Sequence, residues 1–221
     1  MSSGFAAGLP APVRRHLDVA GAAAPVDSVT FAGRGAIRQQ VAGSYGVWVP
    51  LTWDAELLPA RAFVWKARVR VAGVPLRRVS DEFRSDRGRF VAGRRVLSGD
   101  AIDRAEYTML WAWTLLLAPR EGLTRAGAFC EAVDETTARL DYPFRGETWE
   151  CTLRFDSASG LLSRLDTHRV DIRTGHPQRW SAEVGRWAAS DGHAYPAAVL
   201  TRWSGDPAVR LEVERVAATA R

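Results

Sequence analysis

Three ionisable residues, Asp81, Glu56 and Arg68, are the candidates for chemistry in this sequence. Around Asp81, strand alternation places the carboxylate with Val79 and Phe83 on an apolar face, and Ser80, Glu82 and Arg84 on the other. A carboxylate on a dry face needs a partner or a raised pKa, and a carboxyl that keeps its proton near neutrality is suited to general acid and base work. Glu56 follows Trp53 and Ala55, and alternation groups it with Asp54 rather than with the tryptophan, so its direction is open. Arg68 is formally outward on its strand. If the three met inside a cavity, Asp81 and Glu56 would move protons between a hydroxyl and a carbonyl or hemiacetal oxygen, and Arg68 would orient a carboxylate or stabilise developing negative charge. An ion pair that pins neighbouring strands accounts for the same residues equally well.

Other chemistries lack their residues. There is no Gly-x-Ser-x-Gly elbow, and Gly33-Arg34-Gly35 lacks the third glycine of a dinucleotide loop. His16, His168, His176 and His193 are scattered without metal-ligand spacing, so neither a metal nor another cofactor is expected. Lys66 sits on the cationic face of its strand, where a solvated lysine is expected rather than a Schiff base. Cys130 and Cys151 are too few for a disulfide framework and read as core residues.

The elements that must position these residues are mostly strands. A short helix is expected from about Pro10 to Ala20, with Pro12 in its first turn, Gly21 to stop it, and Val13, Leu17 and Ala20 as its apolar stripe. From Val26 to Leu97, runs of Val, Phe, Trp and Thr broken at Gly33, Gly43, Gly46, Pro59, Gly73, Pro75 and Gly88 fit about five strands. In one of them Phe63, Trp65, Ala67 and Val69 alternate with Val64, Lys66, Arg68 and Arg70, the period of a half-buried strand. Asp103 and Glu106 form a capping-box-like pair that would start a helix ending near Ala118. That helix is apolar nearly all round, so it is buried or covers a greasy opening. After Pro119 about six more strands fit, with turns that include Asp191-Gly192.

Together these predict a mainly β chain: an antiparallel barrel or half-barrel of about ten strands, with a short N-terminal helix and a central hydrophobic capping helix. A sheet of that size curls or closes to bury its edges. Nine tryptophans suggest a wide aromatic concave face, with Trp53, Trp65, Phe83, Trp111 and Leu115 as walls of a pocket for a hydrophobic small molecule.

Composition sets the remaining bounds. At 221 residues, with 47% hydrophobic and 25% charged, the chain 1–221 reads as a single domain with a full core. No stretch approaches the roughly 20 apolar residues of a membrane span, and Met1 to Arg15 lacks a secretory pattern, so no stable membrane insertion and a cytoplasmic location are expected. Of 30 basic residues only Lys66 is lysine, which fits biased codon usage better than selection for phosphate binding. The densest basic stretch, Arg77 to Arg95, contains Asp81, Glu82 and Asp86, and reads as a salt-bridged solvated face with no nucleic-acid partner.

The chain resembles an uncharacterised bacterial domain-of-unknown-function family of β proteins, through Leu9-Pro10 with the first helix, Ala55-Glu56, Phe63-Val64-Trp65 with Ala67-Arg68-Val69, Asp81 before Phe83, Trp180, Asp191-Gly192 with Pro196, and Trp203. It departs from that pattern at Leu57, where a polar residue is expected, and in the central helix, which lacks the acidic residue associated with the family. Its element order is similar to the lipoprotein-carrier half-barrel, which implies acyl chains held against a curved sheet beneath a helical lid. A looser resemblance, in size and layout, to the β-barrel spiroacetal cyclases of bacterial polyketide pathways implies a cofactor-independent cyclase or isomerase acting on a long apolar substrate. The resulting expectations are that cyclase or isomerase first, a non-catalytic binder of lipids or other apolar ligands as the alternative, and an interaction module using the basic strand face third. The oligomeric state is left open.

Overall fold

In the computed structural model, which describes residues 8–21, 25–41, 44–71, 74–125, 127–190 and 193–220, the chain runs α1 (Ala11–Val19), β1 (Val26–Val41), β2 (Ser44–Leu58), β3 (Ala62–Val71), β4 (Val74–Arg84), β5 (Arg87–Ala92), β6 (Arg95–Leu97), α2 (Asp100–Leu117), α3 (Pro119–Leu123), β7 (Phe129–Ala132), β8 (Thr137–Phe144), β9 (Glu147–Phe155), β10 (Leu162–Val170), β11 (Pro177–Ser190), β12 (His193–Trp203) and β13 (Asp206–Ala220). All thirteen strands join one antiparallel sheet in the order β6-β5-β4-β3-β2-β1-β13-β12-β11-β10-β9-β8-β7. The sheet therefore consists of two meanders, β1–β6 and β7–β13, fused along a seam where the first strand pairs the last, from Val26↔Ala220 to Ile37↔Val209.

Alternation decides which side of the sheet is dry. On β2, Val49, Leu51, Trp53, Ala55 and Leu57 are buried, while Thr52, Asp54 and Glu56 are exposed. The buried faces of both wings meet α2, which touches β2, β4 and β5 on one side and β10 and β12 on the other. The sheet thus curls around α2 but does not close, because β6 and β7 remain edges. It is a half-barrel, and it has thirteen strands where about ten are expected. The short edge strands, three residues in β6 and four in β7, are too brief to leave a periodic signal.

The seam needs glycine. A Cβ on Gly33 would stand 1.9 Å from the Glu212 carbonyl oxygen, and one on Gly35 would stand 2.2 Å from that of Arg210. The register also slips between Ala32 and Gly33. These glycines permit close backbone approach at the middle of the coiled sheet.

The helices differ from expectation at their ends. α1 starts one residue later than expected, on Pro10 as N-cap, and buries His16 with Val13 and Ala20. The His16 Nδ1 accepts the Leu162 N–H at 3.2 Å, and burial lowers its pKa to about 4, so it docks α1 as a neutral ring. α2 starts at Asp100 on the N-cap Gly99, whose φ is 106°. Asp103 and Glu106 therefore lie inside the helix and do not cap it. Pro119 does not return the chain to strands but opens the short α3. Among the described residues, no helix is long and apolar enough to cross a membrane, and no group of three or more His, Cys, Asp or Glu side chains is placed to hold a metal. Both cysteines are free thiols, Cys151 buried and Cys130 half-buried. The expected turns at Gly43, Gly73 and Asp191-Gly192 lie outside the described residues.

Candidate functional site

A charged group of residues lies in the interior between α2 and the sheet. Glu106, on the second turn of α2, has no exposed surface. Its Oε1 accepts from the Arg169 Nη2 at 3.3 Å, and the Arg169 Nε donates to the Ala105 carbonyl at 3.1 Å. Arg169 is inward because β10 alternates, Leu165, Thr167 and Arg169 sharing a face, and its guanidinium lies 5.5 Å from the Trp203 ring centroid. Asp81 enters from β4, directly across from Trp65 on β3 and Phe90 on β5. Three buried polar atoms here have no partner among the described residues: Asp81 Oδ1, Glu106 Oε2 and Trp65 Nε1.

One guanidinium thus contacts Glu106 directly and draws on half-buried Asp81 through charge alone. Burial raises the Asp81 pKa to about 6 against the pull of Arg169. Burial raises Glu106 well above the usual carboxylate range, and the charge of Asp81 adds to the effect, with Arg169 opposing both. Ionising both acids would leave a net buried negative charge, so the pair holds one proton near neutral pH and titrates as a unit.

The sign of the pH dependence follows. A carboxyl whose folded pKa is raised binds protons more tightly in the native state, so its favourable contribution is complete at low pH and is lost as pH climbs from about 4 to about 6. Asp81→Asn removes this titration and relieves Glu106 of a neighbouring negative charge, while burial still holds the Glu106 pKa raised. The variant should be about 1–2 kcal/mol more stable than the parent at pH 7, because Asn still leaves a buried acceptor unpaired. Its stability should fall less steeply than the parent's between pH 4 and 7, and chemical denaturation across that range checks both statements. An Asn variant that loses stability at pH 7 would show that ionised Asp81 is needed as a partner of Arg169.

A second set of carboxylate contacts fixes the start of α2. The Asp103 Oδ1 accepts the Gly88 N–H at 2.7 Å, and its Oδ2 accepts from Arg145 at 2.7 Å and Arg87 at 3.2 Å. Gly88 and Arg87 belong to one wing and Arg145 to the β8–β9 turn of the other. Asp100 and Glu147 extend the network through Arg104 at 2.9 and 2.7 Å. Contacts made through this helix therefore join wings that no strand pairing closes. A Cβ on Gly88 would lie 2.5 Å from the Ile102 carbonyl oxygen, so glycine is needed for β5 to reach the helix.

Of the residues expected to carry chemistry, the structure brings only Asp81 inside. Glu56 lies on the convex face with its side chain 54% exposed, 3.7 Å from Arg84. Arg68 is exposed on the same face. One strand period separates both from the interior, so the set Asp81, Glu56 and Arg68 is not brought together. Trp53, Trp65 and Phe83 do line the concave face. Trp53 and Phe83 are fully packed, in aromatic clusters with Phe31 and Trp113 and with Tyr107 and Phe144. Trp111 and Leu115 are 1% and 2% exposed, and Trp111 stacks on Tyr142 at 4.8 Å, so they are core rather than rim. Sequence reasoning missed Glu106, which it assigned to a cap, and Arg169. The available signals were an acid embedded in an all-apolar helix and an Arg in phase with Leu165 and Thr167.

Unfilled space lies at the other end of α2. Two adjoining hollows, of about 110 and 20 Å³, share Val26, Leu117, His193 and Ala194 as walls. The larger is also lined by Val29, Ser190, Tyr195, Val216 and Ala218. Their surroundings are tied by the Ala194 N–H donating to the Ala20 carbonyl at 3.0 Å and the Val26 N–H donating to the Glu121 Oε1 at 2.8 Å. Neither hollow is lined by Asp81, Glu106 or Arg169.

A family model described as a family of unknown function (DUF6544) matches residues 1–209. No match was found among curated proteins. Among solved structures, the fold is similar to a LolA superfamily protein from Nitrosomonas europaea, with a TM-score of 0.52 and 10% identity over 95% of this chain and 94% of that one. It is also similar to a DUF1329 family protein from Desulfovibrio piger, with a TM-score of 0.50 and 11% identity over 94% and 92%. A putative outer membrane lipoprotein-sorting protein domain from Vibrio parahaemolyticus matches at a TM-score of 0.47 and 9% identity over 94% and 93%. At these identities the likeness is one of fold, and nothing in it points to a spiroacetal cyclase.

Proposed function

Because the chain belongs to the DUF6544 family, a family of unknown function, we propose its activity from its own architecture: it binds an apolar, chain-like ligand in the half-barrel and carries out no chemistry on it. The observation that carries this reading is the apolar hollow at the C-terminal end of α2, walled by Val26, Val29, Leu117, Tyr195 and Val216. It adjoins an aromatic interior that is covered by one helix and not sealed by strand pairing. A ligand entering there meets mainly aliphatic and aromatic walls, with Ser190 and His193 beside them, and it gains room by shifting α2 against the sheet. The lipoprotein-carrier half-barrel has the same plan, an apolar concave sheet under a helix.

The cyclase or isomerase reading needs proton-transfer groups and substrate space together. In this fold Glu56 and Arg68 face solvent, and the buried carboxyls lie apart from both hollows. Binding without turnover is therefore the better-supported function.

A titration with the neutral fluorescent probe N-phenyl-1-naphthylamine tests it. The expected result is saturable one-to-one binding with a Kd on the order of micromolar. Ala194→Trp, which fills the hollow from its wall, should weaken binding at least about tenfold with the melting temperature retained. Absence of saturable binding, or equal binding by the Trp variant, would show that the interior is ordinary core.

A further inference from the structure

The hairpin end of the β1–β6 wing carries a cationic surface that the ligand-binding reading does not use: Arg68, Arg70 and Arg78 stand on the convex face, and Arg77 and Arg95 lie in register with Val69 and Ala92 at the rim of the other. Arg68 and Arg70 on β3, Arg77 and Arg78 at the start of β4, and Arg94 and Arg95 at the β5–β6 turn are all exposed. Register brings them to one end of the sheet: Arg68 lies directly across from Arg78, Arg70 pairs with Pro75, and the Gly93 N–H donates to the Arg78 carbonyl at 2.9 Å. Among the described residues none of the six has a carboxylate partner. The acids of this region, Glu56 and Glu82, instead pair with Arg84 and Arg89 toward the other end of these strands. The expectation of a salt-bridged face therefore fails at this end. Two arginines directly opposite on adjacent strands repel each other, at a cost to the fold that an external anion would relieve.

The same end of the sheet carries exposed apolar residues. Strand direction puts the β1–β2, β3–β4 and β5–β6 hairpins there, and each presents one solvent-exposed valine: Val47 at 71%, Val74 at 59% and Val96 at 54%. Cations for a phosphate layer beside small apolar side chains that can enter the layer beneath it match the chemistry of an anionic bilayer surface. Nucleic acid would use the cations but leave the valines in water.

We propose that this hairpin end docks on anionic phospholipid bilayers. It lies at the opposite end of β1 from the apolar hollows, around the hairpin that follows Val41, whereas the hollows take Val26 and Val29. The docking thus rests on residues separate from those of the ligand-binding reading, and either can fail without the other.

Co-sedimentation of the full chain with phosphatidylglycerol/phosphatidylcholine vesicles, against phosphatidylcholine alone, is the test. Binding should require the anionic lipid and weaken in about 0.5 M salt, where screening is short-ranged. One arginine beside an anionic leaflet is worth about fivefold in partitioning, so the double reversal Arg68→Glu with Arg78→Glu should lower it at least about 30-fold. Its melting temperature should hold, because the Glu–Glu pair that results carries the same like-charge repulsion as the Arg–Arg pair it replaces. Arg94→Glu with Arg95→Glu on the neighbouring hairpin is the second probe should the first variant fold poorly, and Val74→Asp should weaken docking without touching a cation. Equal sedimentation with neutral vesicles, undiminished binding by both charge-reversed variants, or preference for an oligonucleotide that vesicles cannot displace would each overturn the proposal.

Discussion

Arg169→Met is expected to lower folding stability by about 3–5 kcal/mol at neutral pH, the usual cost of leaving a buried charge without its counterpart. The guanidinium is the one cation shown against Glu106 and Asp81, it ties β10 to α2 through the Ala105 carbonyl, and it lies over Trp203. Without it both carboxyls hold their protons more tightly, so the native variant binds more protons at pH 7 than the parent does. Its stability should then fall more steeply as pH rises, with the deficit smallest near pH 5 and largest above pH 7. Urea denaturation at several pH values measures both the size and the slope. Pairing Arg169→Met with Glu106→Gln should recover part of the loss, because the second change removes the stranded acid. A deficit independent of pH and unaffected by the second substitution would mean that Arg169 contributes only its packing and its hydrogen bond to Ala105.

Gly33→Val is expected to be the most damaging single change on the sheet, at least about 4 kcal/mol, beyond the range of ordinary core substitutions. The clash is with the backbone carbonyl of Glu212, at 1.9 Å from a Cβ, so no rotamer change relieves it. β1 must move off β13, and this pair joins the two wings. Loss of cooperative unfolding, read by near-ultraviolet circular dichroism on heating, checks the prediction. A Val variant that melts like the parent would mean that the seam tolerates a wider separation.

Period-two alternation was legible wherever a strand was long. It placed Asp81, Trp53, Trp65 and Phe83 on the inward face and left Arg68 formally outward, and the structure agrees. It could not settle Glu56, because Trp53-Asp54-Ala55-Glu56 contrasts weakly between small and acidic positions. The charged interior was illegible for a different reason. Glu106, Arg169 and Asp81 come from α2, β10 and β4, and only the curl of the sheet brings them together. Asp103 and Glu106 fit a helix-start pattern three residues apart, and the local pattern concealed two tertiary roles, one joining the wings and one burying a proton. The exposed arginine end was hidden by the acids interleaved in sequence, since Glu82 lies near the arginines along the chain but pairs with Arg89 elsewhere on the sheet.

The seam between β1 and β13 also sets the order in which the molecule can assemble. Each wing is a meander of sequence neighbours, so its pairings close loops of a few residues, whereas Val26↔Ala220 closes nearly the whole chain. By loop-closure scaling that contact costs about 4–5 kcal/mol of chain entropy before any of its hydrogen bonds form. The wings, each organised on α2, are therefore expected to reach native-like pairing first, and the central strands to meet last. Such a topology folds slowly and leaves both strands of the seam as open edges in the meantime. During synthesis, β1 has to wait for the last strand to be made. A binding partner for its free edge in that interval, another chain or a chaperone, would compete directly with the step that completes the half-barrel.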